Sequence, residues 1–342
     1  MTGYEIIKGN INFTEPERIG LRFDRIAGVG DVYRIFVLPA KEFRDSTKTY
    51  SVSKKVRPRN GEYDEWGCYW ESTDETGSDM GQPTNTPIED EDAYETYKCP
   101  DPYAEGRFDG LEEALNQAEE KGLYVQLNSP QCIFERMHFL RGFEDTLVDC
   151  MTEPELIADL AKKLADYQIG IIDQAYKLGK GRIHCYDTTD DWGTQQNLMV
   201  PPKVFREIFK PQYKRIFDKC HECGMDVRFH TDGKINDILE DLIEVGVDII
   251  NIHQPRLVGI DEISEIARGR ICFEVAVDIQ STLPTGNKEL IEAEVKELVE
   301  KWATEKGGLI AVEYGYLDAI GTTKESMLYA LECFQKYGIL KK

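Results

Sequence analysis

Long apolar runs are missing from this chain. No stretch approaches the roughly 18 uninterrupted apolar residues of a membrane-spanning helix, and the first residues, Met1-Thr2-Gly3-Tyr4-Glu5, lack the basic-then-apolar order of a secretory signal. The expected compartment is therefore the cytoplasm, with no membrane partner. Positive charge is scarce: 41 Lys and Arg stand against 63 Asp and Glu, a net charge of -22. A nucleic-acid partner needs phosphate neutralisation that this balance does not offer, and anionic lipid would be repelled. A polycarboxylate substrate would need a basic pocket, and no basic cluster is evident along the chain. A disulfide framework is also missing, because the nine cysteines are odd in number and scattered. Cys220-His221-Glu222-Cys223 has zinc-like spacing, but no second such pair exists to complete four ligands, and the segment sits at the end of a helical pattern. No internal repeat, low-complexity tract or linker divides the chain, so residues 1–342 are expected to form a single domain.

What is there is repeated alternation of apolar runs and amphipathic segments. The clearest unit is residues 226–255, DVRFHTDGKINDILEDLIEVGVDIINIHQP. Val227 to Phe229 is a short apolar run ending at His230-Thr231-Asp232-Gly233. Ile235, Ile238, Leu239, Leu242 and Ile243 then recur at helical spacing, and after Gly246 a second apolar run, Ile249 to Ile252, ends at His253. This is a βαβ unit with functional side chains at both strand ends, where parallel α/β folds build their sites. The same reading predicts strands over Val32–Leu38, Tyr124–Asn128, Ile183–Asp187, Val227–Thr231, Ile249–His253, Ile271–Val277 and Leu309–Glu313. Helices are predicted over Gly110–Lys121, Pro154–Leu178, Pro201–Cys223, Lys234–Val245, Asp261–Ala267, Lys288–Glu305 and Thr323–Tyr337. Such alternation implies a parallel sheet. Residues 41–108 stand apart as an irregular insertion or lid, in which Tyr63, Trp66, Tyr69 and Trp70 favour packing over disorder.

Four segments resemble a known family. Ile11-Asn12-Phe13-Thr14-Glu15-Pro16-Glu17-Arg18-Ile19, Tyr63-Asp64-Glu65-Trp66-Gly67, Asp190-Asp191-Trp192-Gly193-Thr194-Gln195 with the helix after Pro201, and the 226–255 unit are similar, in that order, to pieces of the uroporphyrinogen decarboxylase superfamily. That superfamily includes the decarboxylase of haem synthesis and zinc methyltransferases that exchange methyl groups with corrinoids. The first two segments resemble its methyltransferase-like branch. Seven strands are legible rather than eight, so a closed (β/α)8 TIM-type barrel with an N-terminal irregular insertion follows from the length and from the resemblance.

A barrel would gather Asn128, Asp187, His230, His253, Glu274 with Asp278, and Glu313 around one mouth. In the zinc methyltransferases the resemblance implies a His-x-Cys pair and a further Cys as ligands. Here the first reads His230-Thr231-Asp232 and the last strand reads Ala311-Val312-Glu313-Tyr314-Gly315, without cysteine. A thiolate site for a small thiol is thus excluded. His230, Glu274 and Glu313 are the candidate ligands of one zinc, an imidazole and two carboxylates that leave an open position, with Asp232 able to replace a glutamate. The alternative is a metal-free strand-end histidine. Glu274 lies within an apolar run, where an unpaired carboxylate is costly, and so requires a cation or a hydrogen-bonding network. Asp187, Asp190 and Asp191 divide between helix capping and general-acid work. Trp66, Trp70, Trp192, Tyr314 and Tyr316 are candidates for an aromatic pocket or for core, and Asn128 for a substrate contact.

The haem-pathway decarboxylase holds its substrate's carboxylates with an Arg-Gln-Ala-Gly-Arg motif, which this chain lacks. The expectation is a methyltransferase that moves a methyl group from a small methylated donor, such as a methoxylated aromatic, to Co(I) of a corrinoid. His230, Asp232 and Asp187 are the candidate catalytic residues, with zinc or a protonated acid activating the leaving oxygen. The Asp-x-His-x-x-Gly corrinoid motif is absent, so the corrinoid would come on a separate carrier protein. Rival readings are a decarboxylase or lyase on a small carboxylate, and a non-catalytic binding barrel. Dimers occur in the superfamily, which leaves a homodimer open.

Overall fold

The computed structural model describes residues 1–46, 61–71 and 81–340. Eight parallel strands, named here in chain order, form the barrel: β1 (Gly20–Phe23), β2 (Val32–Phe36), β3 (Tyr124–Asn128), β4 (Cys185–Thr189), β5 (Asp226–His230), β6 (Ile249–Ile252), β7 (Cys272–Val275) and β8 (Leu309–Val312). Parallel ladders run without a break from β2 through β3 to β8 and on to β1. The seam between β1 and β2 is closed differently. Val29–Gly30 pairs antiparallel with β1, and Asp31 then donates its N–H to the Leu21 carbonyl (2.8 Å) and accepts from the Tyr124 N–H (2.9 Å). Its carboxylate takes the Leu21 N–H (2.9 Å) and both Arg18 Nη atoms (2.7 Å). The strand not legible in the sequence is β1. Gly-Leu-Arg-Phe is four residues with a central charge, and that arginine faces inward.

Alternation along the strands divides the barrel into zones. Outward side chains, among them Leu127, Tyr186, Phe229, Ile250 and Phe273, pack under the helices in the main core. Inward side chains at the amino-terminal ends, including Val32, Tyr124, Cys185, Ile249, Cys272 and Ile310, make an apolar plug with Ile7 and Ile11 of the helix Gly3–Ile11. The next inward positions are ionic. Glu274 Oε1 accepts from Arg22 (2.9 Å), from Arg228 Nε (2.9 Å) and from Asn251 Nδ2 (3.0 Å). Arg228 Nη1 reaches Asp187 (2.5 Å), whose other oxygen takes Asn128 Nδ2 (3.0 Å). The last inward positions, at the strand ends, carry the candidate site.

The helix predicted over Pro201–Cys223 is broken into Pro202–Val204, a π-turn at Phe205–Phe209, and Lys210–Glu222. Pro211 has no N–H for a helical bond and its ring crowds the preceding turn, which the π-turn accommodates. Cys220 and Cys223 are buried free thiols, and among the described residues they join no cluster of metal-ligating atoms.

Of the insertion expected over 41–108, residues 47–60 and 72–80 lie outside the described residues. The rest is more regular than expected: a three-stranded antiparallel sheet of Glu62–Tyr63, Tyr69–Glu71 and Gln82–Asn85, and helices Lys41–Ser46 and Glu91–Thr96. Asp64 fixes its tight turn by accepting from Trp66 N and Cys68 N (2.9 Å each) and Trp70 Nε1 (3.0 Å). Glu65 ties it to the barrel through buried Arg107 (2.8 and 3.2 Å) and the Ala40 N–H (3.1 Å). Among the described residues no helix is long and apolar enough to cross a membrane.

Candidate functional site

Two loops that leave neighbouring strands shape the mouth. The segment after β4 lies flat on the segment after β5: Asp190 N donates to the His230 carbonyl (3.0 Å), Gly193 N to the Asp232 carbonyl (3.2 Å) and Asp232 N to Asp191 Oδ1 (2.8 Å). Only glycines permit this approach. A Cβ on Gly193 would stand 2.4 Å from Lys234 N, and Gly233 has φ +83° with no room above it. The Asp-Trp-Gly and His-Thr-Asp-Gly pieces of the sequence are therefore two halves of one contact.

That contact presents His230, at the end of β5, toward His253, which follows β6. His230 Nδ1 lies 2.7 Å from Asn251 Oδ1, and Asn251 Nδ2 donates to the Glu274 carbonyl and Oε1 (3.0 Å each). The asparagine is thus oriented as acceptor and Nδ1 carries a proton, which leaves Nε2 as the ring atom that faces the carboxylates. Nε2 lies 3.7 Å from both Asp191 Oδ1 and Asp232 Oδ2. His253 Nδ1 is 3.9 Å from Asp232 Oδ1, and the two imidazole centroids are 4.7 Å apart. Ligand atoms of His230, Asp232 and His253 all fall within 4.8 Å of one another. Asp232 Oδ1 is buried and accepts no hydrogen bond, which marks a place for a cation or proton. Burial, opposed by His230 and reinforced by Asp191, pushes Asp232 up to about 6. Burial, with His230 and Arg228 nearby, keeps His253 neutral, well below the usual imidazole value.

This set differs from the expected His230, Glu274 and Glu313. Glu274 is neutralised by two arginines deeper in the barrel. Glu313 accepts from the backbone N–H groups of Arg25 (2.6 Å) and Ile26 (2.9 Å), ordering the turn after β1. Neither carboxylate joins the cluster around His230. Asp187 is not the protonated acid expected either: burial favours its neutral form, but Arg228, Arg22 and Asn128 together hold it below the ordinary carboxylate value. Burial beside Asp191 and Asp190 instead pushes Glu135 well up. Trp192 is fully buried, stacked at 4.0 Å on Phe134 with its Nε1 donating to Tyr213 (3.1 Å), so it belongs to the core and not to a pocket. Asp190 takes the Ile133 and Glu135 N–H groups (2.7 and 2.8 Å) and caps the helix Phe134–Arg141.

A cavity of about 1010 Å³ opens over the mouth, with His230, His253, Asn128, Trp66 and Tyr314 in its wall. Asp24, Asp64, Glu65, Asp187, Glu313 and Asp318 line it too, beside five arginines, namely Arg22, Arg25, Arg34, Arg136 and Arg228, so the wall has no excess of positive charge. The arginines come from separate segments and form no run in the sequence. The residues overlooked had one readable signal: a polar side chain inside an apolar strand, Arg228 in Val-Arg-Phe and Asn251 in Ile-Asn-Ile.

An α/β barrel with a histidine–carboxylate cluster at the carboxyl ends of its strands is the class this fold and site define. The chain belongs to the uroporphyrinogen decarboxylase (URO-D) family, whose sequence model matches residues 67–317. Among solved structures it is similar to a methyltransferase from Methanosarcina mazei, with 16% identity over 80% of this chain and 76% of that one and a TM-score of 0.61. It is also similar to xylanase 10B from Thermotoga maritima, with 11% identity over 98% of each chain and a TM-score of 0.44. None of the curated proteins matches.

Proposed function

We propose that the protein is a methyltransferase that passes a methyl group from a small methylated donor, a methoxylated aromatic, to Co(I) of a corrinoid on a separate carrier protein. The observation that carries this reading is the His230, Asp232, His253 cluster at the mouth of a URO-D barrel. The fit to a metal is chemical. Two imidazoles and a carboxylate, one oxygen of which lacks a partner, form a nitrogen- and oxygen-rich set suited to zinc with open positions. Asn251 supplies the outer hydrogen bond that fixes the His230 tautomer and aims Nε2. Zinc held there supplies a Lewis acid to the oxygen that leaves the methyl group.

The chain's own residues position the donor. Trp66 and Tyr314 are aromatic parts of the cavity wall, and Asn128, held by Asp187, offers its remaining polar atoms to the ring substituents. The shared fold with a methyltransferase supports this reading, as do the segments that resemble the methyltransferase-like branch. A lyase acting on a small carboxylate is the rival, and it is separated by its products. Purified protein with reduced corrinoid carrier and a methoxyaromatic is expected to yield the phenol and methylated corrinoid, and His230→Ala to lose both zinc and turnover. Neither product, or carbon dioxide released without corrinoid, would overturn it.

A further inference from the structure

Four of the five cavity arginines are neutralised or solvated. Arg22 and Arg228 are paired with Glu274, and Arg228 also with Asp187. Arg34 meets Asp24 at 3.0 Å, and Arg25 is exposed. Arg136 is different. It is 8% exposed, yet among the described residues the one ion pair it makes is a long one. Nη2 donates to the neutral amide of Gln131 (3.0 Å), and Nε is buried without a partner. The nearest acid, Asp64, is 3.8 Å from Nη1, and its oxygens already serve Trp66 N, Cys68 N and Trp70 Nε1. A guanidinium nine-tenths buried with its counter-anion held off at 3.8 Å is costly. Its position is nevertheless built. The cation stacks over Trp66, 4.4 Å from the ring centroid, and Gln131, which holds it, adopts φ +55°, a strained value for a non-glycine residue. Arg136 lines the same cavity as His230 and His253.

We infer that Arg136 is the binding point for a carboxylate on the methyl donor, so that the substrate is an anionic methoxyaromatic rather than a neutral one. The inference rests on the methyl-transfer reading for the donor's ether, but the anion site itself rests on Arg136 alone. A planar guanidinium matches a carboxylate with two parallel hydrogen bonds. Trp70 and Tyr167 in the same wall offer apolar surface to the ring between the two ends.

The test is calorimetric binding of 4-methoxybenzoate and of its neutral isostere 4-methoxybenzamide to zinc-loaded protein. A charge-assisted pair carries about 10- to 100-fold in affinity. The benzoate is expected to bind wild type at least about tenfold more tightly than the amide. Arg136→Gln should bring the ratio near one, with amide affinity and zinc content unchanged, and Arg136→Lys should restore part of it. The ratio is insensitive to general loosening of the site, which would weaken both ligands. Equal binding of both ligands, no binding of either, or a benzoate preference that survives in Arg136→Gln overturns the anion site. Methyl transfer is scored separately. An Arg136-dependent preference without methyl transfer refutes the reaction and leaves the anion site standing. Turnover of the amide as fast as the benzoate refutes the anion site alone.

Discussion

Replacing Asn251 by leucine tests whether the mouth is a metal centre, because it removes no ligand and nearly preserves volume. In the wild type, His230 Nδ1–H donates to Asn251 Oδ1 at 2.7 Å, which leaves Nε2 facing Asp232 and Asp191. Leucine offers no acceptor. A metal on Nε2 obliges the proton to stay on Nδ1, now in a buried position without a partner, at a cost of about 1–3 kcal/mol. Zinc affinity should therefore fall about 10- to 100-fold, the range typical of outer-shell partners of metal-bound histidine. The assay is competition against a chelator of known affinity, read by elemental analysis after gel filtration. The variant also loses two hydrogen bonds to Glu274, so it should be compared well below its unfolding temperature. A folded Asn251→Leu protein that holds zinc as tightly as wild type would refute the assignment of His230 Nε2 as a ligand. Glu313→Gln, whose carboxylate serves only the turn after β1, should leave zinc affinity unchanged.

Arg228→Met should destabilise the protein by about 3–5 kcal/mol, because it leaves Asp187 a buried charge without its cation and Glu274 with Arg22 alone; denaturant titration measures it, and a loss below about 1 kcal/mol would show that the ionic layer is dispensable. Glu65→Gln breaks the ion pair to buried Arg107 through which the 62–71 hairpin is held to residues 38–40, just after β2. Limited proteolysis within residues 41–108 should accelerate while the barrel stays intact, and an unchanged cleavage rate would count against this anchor. His221 is raised above its ordinary value by its hydrogen bond to Asp248, against the effect of burial. A raised folded value stabilises fully below the unfolded value of about 6.5 and is lost as pH rises through the folded one. With 41% of its side chain exposed, solvent screening reduces the contribution to about 0.5 kcal/mol. The stability gap between wild type and His221→Gln should accordingly be larger at pH 5.5 than at pH 8.5; an equal gap at both would remove the linkage.

Much of the fold was legible because strand alternation and helical spacing are local. Seven of the eight barrel strands could be read from apolar runs, and His230 could be singled out from its position after β5. The missing β1 shows the limit. Its inward arginine breaks the apolar run, and only the ring of strands around it reveals that the charge is matched by Glu274. The same effect separates the residues expected to share one metal. Glu313 stands at a strand end as the sequence implied and Glu274 one layer deeper, and what neutralises them, two backbone N–H groups for the first and two arginines for the second, is set by residues far away in the chain. Trp192 looked like pocket wall for the same reason, and Phe134, distant in sequence, buries it.

The sequence by itself determined the α/β class, the strand ends as the place of the site, and the absence of a thiolate ligand set. These depend on period, order and composition, which a linear text carries. The tertiary structure alone decided which carboxylate stands beside His230, which is neutralised below it, and which arginine has its acid held at a distance. Electrostatic pairing falls off over a few ångströms of space, and the barrel brings together residues as distant as Arg22, Arg228 and Glu274, so spacing along the chain carries no trace of those distances.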